Sequence, residues 1–269
     1  MAIQNPRDSD LTRSLCFYAS FDREVRADFG GGGLEPGTRF GDPARPDEFE
    51  FDPGIDASLF RIAPERGIVG GALEAVGTLP RRGRIYFPGA GNLPYAPTGW
   101  SGTLSFWMHG DPNELLPGSF SDPVQITQRG AGDGGLWVDF NDARPRDLRA
   151  GAFPARTAVQ PGFAESDPDC PLIVVPNLTW PGWRHVAVTW ENLDSGAANA
   201  AVTLYLDGSP AGELRDRELA MAWDLERTGI YVAVGYVGLL DELAILSRAL
   251  GPREVARLHA EPDCIARSL

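Results

Sequence analysis

The chain of 269 residues is 43% hydrophobic and 23% charged, with 32 Gly and 23 Pro, the composition of a folded protein rich in turns. Its 24 basic and 37 acidic residues leave a net charge of −13, so phosphate backbones and anionic lipid surfaces would be repelled, and the longest basic run is Arg81-Arg82 with Arg84. Every basic residue is Arg and none is Lys, which removes Schiff-base chemistry, P-loop nucleotide binding and the kinase strand lysine.

This length suits one large β domain and buries a core without help from disulfides or metal. The opening MAIQNPRDSD has no apolar core of signal-peptide length, and no stretch approaches the ~18 apolar residues of a membrane span. The expectation is therefore a cytoplasmic protein by default. Apolar runs are short, often alternating, and separated by Gly, Pro, Asp and Asn, the pattern of strands and turns. Strands are predicted at Leu15–Phe21, Gly71–Val76, Arg84–Pro88, Thr103–His109, Val124–Gln128, Gly135–Asn141, Leu148–Phe153 and Leu172–Val175. Further strands follow at Trp183–Glu191, Ala201–Asp207, Ala211–Leu214, Ile230–Gly235 and Gly238–Leu246. About a dozen strands imply two packed sheets. Asp207-Gly208 marks a tight hairpin, because Gly accepts positive φ without steric cost. Residues 250–259 carry Pro252 in a first turn and apolar Val255 and Leu258, predicting one short helix that acts as a lid or brace. Residues 28–70, 110–123 and 141–169 are rich in Gly, Pro and Asp and read as long loops around these strands.

Cys16, Cys170 and Cys264 are too few and too scattered for a zinc cluster. Cys16 and Cys264 would come within bridging range if the terminal strands pair, and idle thiols are the other reading.

Three ordered segments carry a resemblance: Gly102-Thr103-Leu104-Ser105-Phe106-Trp107-Met108, Trp183-Arg184-His185-Val186-Ala187-Val188-Thr189-Trp190 and Val202-Thr203-Leu204-Tyr205-Leu206-Asp207-Gly208. The opening Phe17-Tyr18-Ala19-Ser20-Phe21-Asp22 and the closing stretch 238–250, with the helix after it, extend it across most of the chain. Together they resemble bacterial laminin-G-like domains. The resemblance implies an all-β fold: a concanavalin-A-like jelly-roll sandwich of two curved antiparallel sheets with a short C-terminal helix. It would span residues 15–262, between an N-terminal extension (1–14) and a tail (263–269). It also implies a module that binds carbohydrate or protein, often with calcium where the first and last strands meet. The matching positions here are Asp22 and Asp241, with Asp28 and Glu242 nearby and Arg23 where many members carry Gly. Against calcium stands a plain pairing of Asp22 or Asp241 with Arg.

Alternation separates Leu104, Phe106 and Met108 from Ser105, Trp107 and His109, and Leu136, Val138 and Phe140 from Trp137, Asp139 and Asn141. It separates Val186, Val188 and Trp190 from His185, Ala187, Thr189 and Glu191 in the same way. If these three strands share a sheet, Trp107, His109, Trp137, Asp139, His185 and Glu191 line one amphipathic surface. Aromatic faces stack on sugar rings while polar neighbours bond hydroxyls, which makes this surface the candidate ligand site. The competing reading packs the Trp rings beneath residues 141–169. The same His and carboxylate residues would suit a lyase.

Glu48, Glu50 and Asp52 alternate in an acidic stretch that would suit glycoside hydrolysis if it were an interior strand, and a solvated acidic loop is the expected reading. Gly130–Gly135 fits a dinucleotide pattern, but a strand follows where a helix must begin. The reading is a non-catalytic recognition module for carbohydrate. The alternatives are a polysaccharide-active enzyme on the same fold and a protein-interaction or adhesion module.

Overall fold

The computed structural model describes residues 8–42, 45–78, 84–130, 133–156, 171–180 and 182–269. The elements run α1 (Asp8–Ser14), β1 (Leu15–Ala19), β2 (Phe29–Gly30), β3 (Gly37–Asp42), β4 (Arg45–Pro53), β5 (Phe60–Ala63), β6 (Ala72–Ala75), β7 (Arg84–Pro88) and β8 (Trp100–His109). They continue with α2 (Pro112–Leu115), β9 (Ser121–Gly130), β10 (Asp133–Phe140), β11 (Leu148–Phe153), β12 (Leu172–Val175), β13 (Arg184–Leu193) and β14 (Ala200–Leu206). The last are β15 (Ser209–Arg217), β16 (Gly229–Val234), β17 (Gly238–Leu246) and α3 (Pro252–Ala260), followed by 3-10 turns at Pro262–Cys264 and Ala266–Ser268.

Among the described residues the strands form two antiparallel sheets. One has nine strands in the order β15-β14-β13-β8-β17-β1-β2, with β6 joining β17 and β5 joining β6. The other has eight, in the order β12-β11-β10-β9-β16-β7-β3-β4. The architecture is the expected β-sandwich. Period-two alternation sends Phe106, Met108, Val186, Val188 and Ile245 from one sheet, and Ile85, Phe87, Ile126, Val138 and Val232 from the other, into a shared core.

All the predicted strands are present, and the Asp207-Gly208 hairpin forms with both residues at positive φ, 49° and 76°. Two expectations need correction. Residues 28–70 are not one long loop: they hold β2 to β5, whose Arg, Asp, Glu, Pro and Gly content is that of short or edge strands. The acidic stretch lies in β4, at the rim of the eight-stranded sheet, rather than in a loop. Residues 8–14 are helix α1, whose Leu11 is buried with Cys264 and Ile265 near the C-terminal end. Cys16 and Cys264 are both free thiols, and Cys170 lies outside the described residues.

Helix α3 forms as expected, with Pro252 in its first turn, and Glu254 closes a capping box onto the Gly251 N–H at 3.0 Å. Val255 and Leu258 point into a second apolar cluster on the outer face of the nine-stranded sheet, with Tyr18, Ala187, Tyr205, Ala244 and Leu246. The helix sits on the β14–β15 turn so closely that a Cβ on Gly208 would lie 3.0 Å from that of His259.

Candidate functional site

The six predicted ligand residues are not on one surface. Strands β8 and β13 are neighbours in the nine-stranded sheet, but β10 belongs to the eight-stranded one, so Trp137 and Asp139 lie on the opposite side of the molecule from Trp107 and His185. Trp107 and Trp137 are only 5% and 3% exposed, so neither ring is an open platform for a sugar.

Trp107 packs beneath α3. The His259 ring stacks on it at 5.4 Å and 19°, and His185 tilts against it at 5.1 Å. His185 is fully buried, and its Nε2 lies 2.9 Å from the Ser105 hydroxyl. Burial, with the nearby His259, pulls His185 down to about 3. His109 sits apart beside Trp183 at 5.4 Å, its pKa lowered by burial and by Arg66. Glu191 is exposed, six residues from His185 along β13, or about 20 Å at the usual rise per strand residue. Trp107, His185 and His259 pack together on this face, and among the described residues no common centre joins them to His109 or Glu191.

The outer face of the eight-stranded sheet is different in kind. Cross-strand pairing lines up Gly37, Tyr86, Tyr231, Gln125, Trp137 and Gly151 in one row across six strands. The rings lie low because glycine is beneath them. A Cβ on Gly37 would meet the Tyr86 ring at 2.7 Å, one on Gly229 the Tyr231 ring at 2.8 Å, and one on Gly151 the Trp137 indole at 2.5 Å.

Beside this row Arg149 holds Asp139 in a bidentate pair, Nε to Oδ1 at 2.8 Å and Nη2 to Oδ2 at 2.5 Å, both residues being buried. Arg84 donates to Gln125 Oε1 at 3.0 Å, and Gln125 Nε2 donates in turn to Asp122 Oδ2 at 2.9 Å. Burial and the Asp139 charge raise the Asp122 pKa, with Arg84 and Arg149 opposing them. The guanidinium carbons of Arg39 and Arg84 stand 5.0 and 5.2 Å from the Tyr231 ring centre.

At one end of this face a cleft of about 360 Å³ opens between Tyr86, Pro88, Glu226, Arg227, Thr228 and Tyr231. Tyr86 and Pro88 are half-buried, Glu226 and Arg227 stand exposed at the rim, and Tyr231 is buried at the floor. The Tyr231 hydroxyl has no hydrogen-bond partner among the described residues. The arrangement offers a saccharide apolar ring surface together with donors and an acceptor for hydroxyls. Sequence reasoning missed Tyr86, Tyr231, Gln125, Arg39, Arg84 and Arg149. Alternation in Arg84-Ile85-Tyr86-Phe87-Pro88 held the signal for part of them.

The strands do bring Asp22 and Asp241 to one loop, 67–71. Asp241 Oδ2 accepts from the N–H groups of Ile68 and Val69 at 2.8 and 3.2 Å, and its Oδ1 from that of Glu242 at 2.9 Å. Asp22 Oδ1 accepts from Gly71 N–H at 2.9 Å. The loop presses so close that a Cβ on Gly70 would collide with Asp22 Oδ1 at 2.1 Å, and one on Gly67 with Asp241 Oδ2 at 2.6 Å. Burial chiefly, then the Asp22 charge, push Asp241 up to about 8 against those hydrogen bonds. Glu242 is buried, takes the Tyr18 hydroxyl at 2.7 Å and leaves its Oε1 without a partner among the described residues. Asp28 is turned elsewhere, accepting from Ser20 N–H and Oγ. Among the described residues no three His, Cys, Asp or Glu side chains gather in a metal-ligand arrangement.

Asp52 is exposed, and the side chains of Glu48 and Glu50 lie outside the described residues. Of the Gly130–Gly135 stretch, Gly130 ends β9 and residues 133–135 open β10, and residues 131 and 132 lie outside the described residues.

Comparison with protein-family models finds no match, and comparison with curated proteins finds none. Solved structures do share the fold. Domain 4 of AbnA, a GH43 extracellular arabinanase from Geobacillus stearothermophilus, in complex with arabinotriose, matches with a TM-score of 0.53 at 18% identity, covering 91% of this chain and 98% of that one. The binding domain of botulinum neurotoxin DC in complex with SialylT matches with a TM-score of 0.58 at 12% identity, covering 92% of this chain and 51% of that one. The botulinum neurotoxin serotype D binding domain gives 0.58 at 11%, covering 94% and 52%. The chain thus spans about half the length of the toxin domains. At such identities the likeness is one of fold: a β-sandwich. No helix among the described residues is long and apolar enough to cross a membrane.

Proposed function

We propose that the chain is a non-catalytic carbohydrate-recognition module of laminin-G-like type that holds its saccharide on the outer face of the eight-stranded sheet. The observation that carries this reading is the cleft at Tyr86 and Tyr231, where ring surface, guanidinium and carboxylate converge on a space of about 360 Å³. The arabinotriose and SialylT complexes of structures with the same fold agree with it. Among the described lining residues Glu226 is the one carboxylate, whereas glycoside hydrolysis calls for a pair. Trp137, Asp139 and Arg149 form the continuation of this face, and Trp107, His109, His185 and Glu191 stand outside it.

The test is a polysaccharide panel scored together for retention and for new reducing ends or unsaturated products. Retention without products is expected, and Tyr86→Ala is expected to abolish it while the melting temperature stays close to the parent's. Products would establish the enzyme reading instead. Undiminished retention by the variant would move the site elsewhere.

Calcium is the second part of the proposal. Asp22 and Asp241 would hold it, with main-chain oxygens completing a shell of six to eight, and bound calcium would offset their mutual repulsion. The hard carboxylate donors suit such an ion, which would have to displace the loop N–H groups of Ile68, Val69 and Gly71 that now bond them. Adding calcium should raise the melting temperature and chelation should reverse this. A curve unmoved by either, with no metal by elemental analysis, removes the ion from the proposal.

A further inference from the structure

Helix α3 sits on the outer face of the nine-stranded sheet with two buried side chains, Val255 and Leu258, along its nine residues. A helix so lightly anchored belongs to the low-stability end of a fold, where segments open without the rest. Beneath it three rings from three elements meet. His259 of α3 stacks on Trp107 of β8, and His185 of β13 tilts against Trp107 at 5.1 Å and stands 5.9 Å from His259. His185 is 0% exposed, and its two ring nitrogens differ: Nε2 meets the Ser105 hydroxyl at 2.9 Å, whereas Nδ1 is buried with no partner among the described residues. Protonation would therefore seal a cation from water, with an N–H aimed at no acceptor and a second imidazole beside it. The groups packed around the ring offer that charge little. Ser105 and Trp107 from β8 are neutral, and Asp241, opposite Trp107 on β17, is held by the Ile68 and Val69 N–H groups. Asp207, at the β14–β15 turn, already accepts from the His185 main-chain N–H at 3.0 Å and pairs with Arg184 at 2.7 Å. On α3 itself Arg253 is exposed, Glu254 pairs with Arg248, and Arg257 pairs with Glu261. Burial first, then His259, accordingly hold His185 down at about 3.

We propose that α3 is an acid-released latch: the helix stays docked while the His185 imidazole is neutral, and proton uptake there lifts it and uncovers the apolar sheet face of Ala187, Tyr205 and Leu246. This face lies on the sheet opposite the ligand cleft, so the latch is independent of the carbohydrate-binding reading. With the helix lifted, the ring regains the ~6.5 of a solvated imidazole. Below that pH the lifted state takes up the proton first, so opening grows with falling pH until the docked state also protonates, at about 3. Each pH unit in this window multiplies the open population by up to ~10-fold.

The experiment follows amide hydrogen exchange of α3 in the full chain, expressed as protection factors from about pH 6 to about pH 4, with β10 as the reference for global unfolding. The expected result is α3 protection that falls by about 10-fold per pH unit and stays below that of β10 throughout. His185→Gln, which keeps a hydrogen-bonding partner for Ser105 but takes up no proton, should flatten the fall. His259→Phe, which keeps a ring on Trp107, should retain most of it, since burial is the larger cause. Protection that does not change with pH in the parent, or that falls as steeply in His185→Gln, overturns the latch. Equal protection in α3 and β10 also overturns it, since the helix would then leave only when the whole chain unfolds. Loss of the fall in His259→Phe moves the sensor to that ring and overturns the assignment to His185. The three imidazoles of the intact protein give a reading that needs no variant. By NMR, His185 should remain neutral at about pH 5 while α3 is docked. A His185 that titrates near ~6.5 with α3 still protected overturns the proposal, because the docked helix would then accommodate the charge.

Discussion

Where the nine-stranded sheet turns outward it meets α1, α3 and the C-terminal turns, and Tyr18, Ala187, Tyr205, Leu246, Val255 and Leu258 close into a second apolar cluster. Where the eight-stranded sheet turns outward, the equivalent positions hold Arg39, Arg84, Gln125, Asp139, Arg149, Tyr86 and Tyr231. One face is buried by transfer of apolar surface from water, which is non-directional and tolerates exchange of like for like. The other is buried with ions in place, and each charge depends on a particular partner. The first face is scaffold for the fold, and the second is where the proposed ligand site lies.

The comparison can be broken most directly at the Asp139–Arg149 pair. Asp139→Ala leaves a buried guanidinium without its carboxylate and should cost about 3–5 kcal/mol in urea denaturation, while an apolar replacement of both residues together recovers most of that. A cost below ~1 kcal/mol for the single change would show the face to be open to water and the contrast between faces to be shallow. On the helix-covered side, Leu258→Ala should cost about 2–5 kcal/mol by loss of apolar burial, with saccharide retention unchanged. Retention lost in step with stability would instead tie α3 to the ligand.

A smaller effect, graded with pH, sharpens the same contrast. His185 faces Trp107, Ser105 and His259, and its folded pKa of about 3 lies below the ~6.5 of an unfolded chain. Above pH 6.5 the residue is neutral in both states and its contribution is complete. Below it the unfolded chain takes up the proton first, so stability falls with falling pH down to about 3, by up to ~1.4 kcal/mol per pH unit. His185→Leu should flatten that limb of the stability profile. A limb of unchanged slope would assign acid sensitivity to other groups.

Much of the sandwich was legible because alternation reports which side chains share a face of a strand. It does not report which sheet the strand joins. Trp137 and Trp107 sit in strands of the same pattern, and only the long-range pairing of β9 with β16, which carries the β9–β10 hairpin, and of β8 with β13 separates them. Strands β2 to β5 were hidden because rim strands are polar and punctuated by Pro and Gly. Tyr231 was hidden for the opposite reason: Ile230-Tyr231-Val232-Ala233-Val234 is apolar throughout, so its outward residue did not stand out from the core pair beside it. The arginine cluster was the least legible, since Arg39, Arg84 and Arg227 meet only through the sheet order.

The glycines under the row of rings give this face an adjustable depth. Gly37, Gly151 and Gly229 each set how far one aromatic plate can settle toward the backbone. Adding a single methyl group at any of the three would lift its plate and re-contour the floor above it. In the proposed site, ligand size and the chemistry of recognition would then be set by separate positions, so that one could vary while the other is kept.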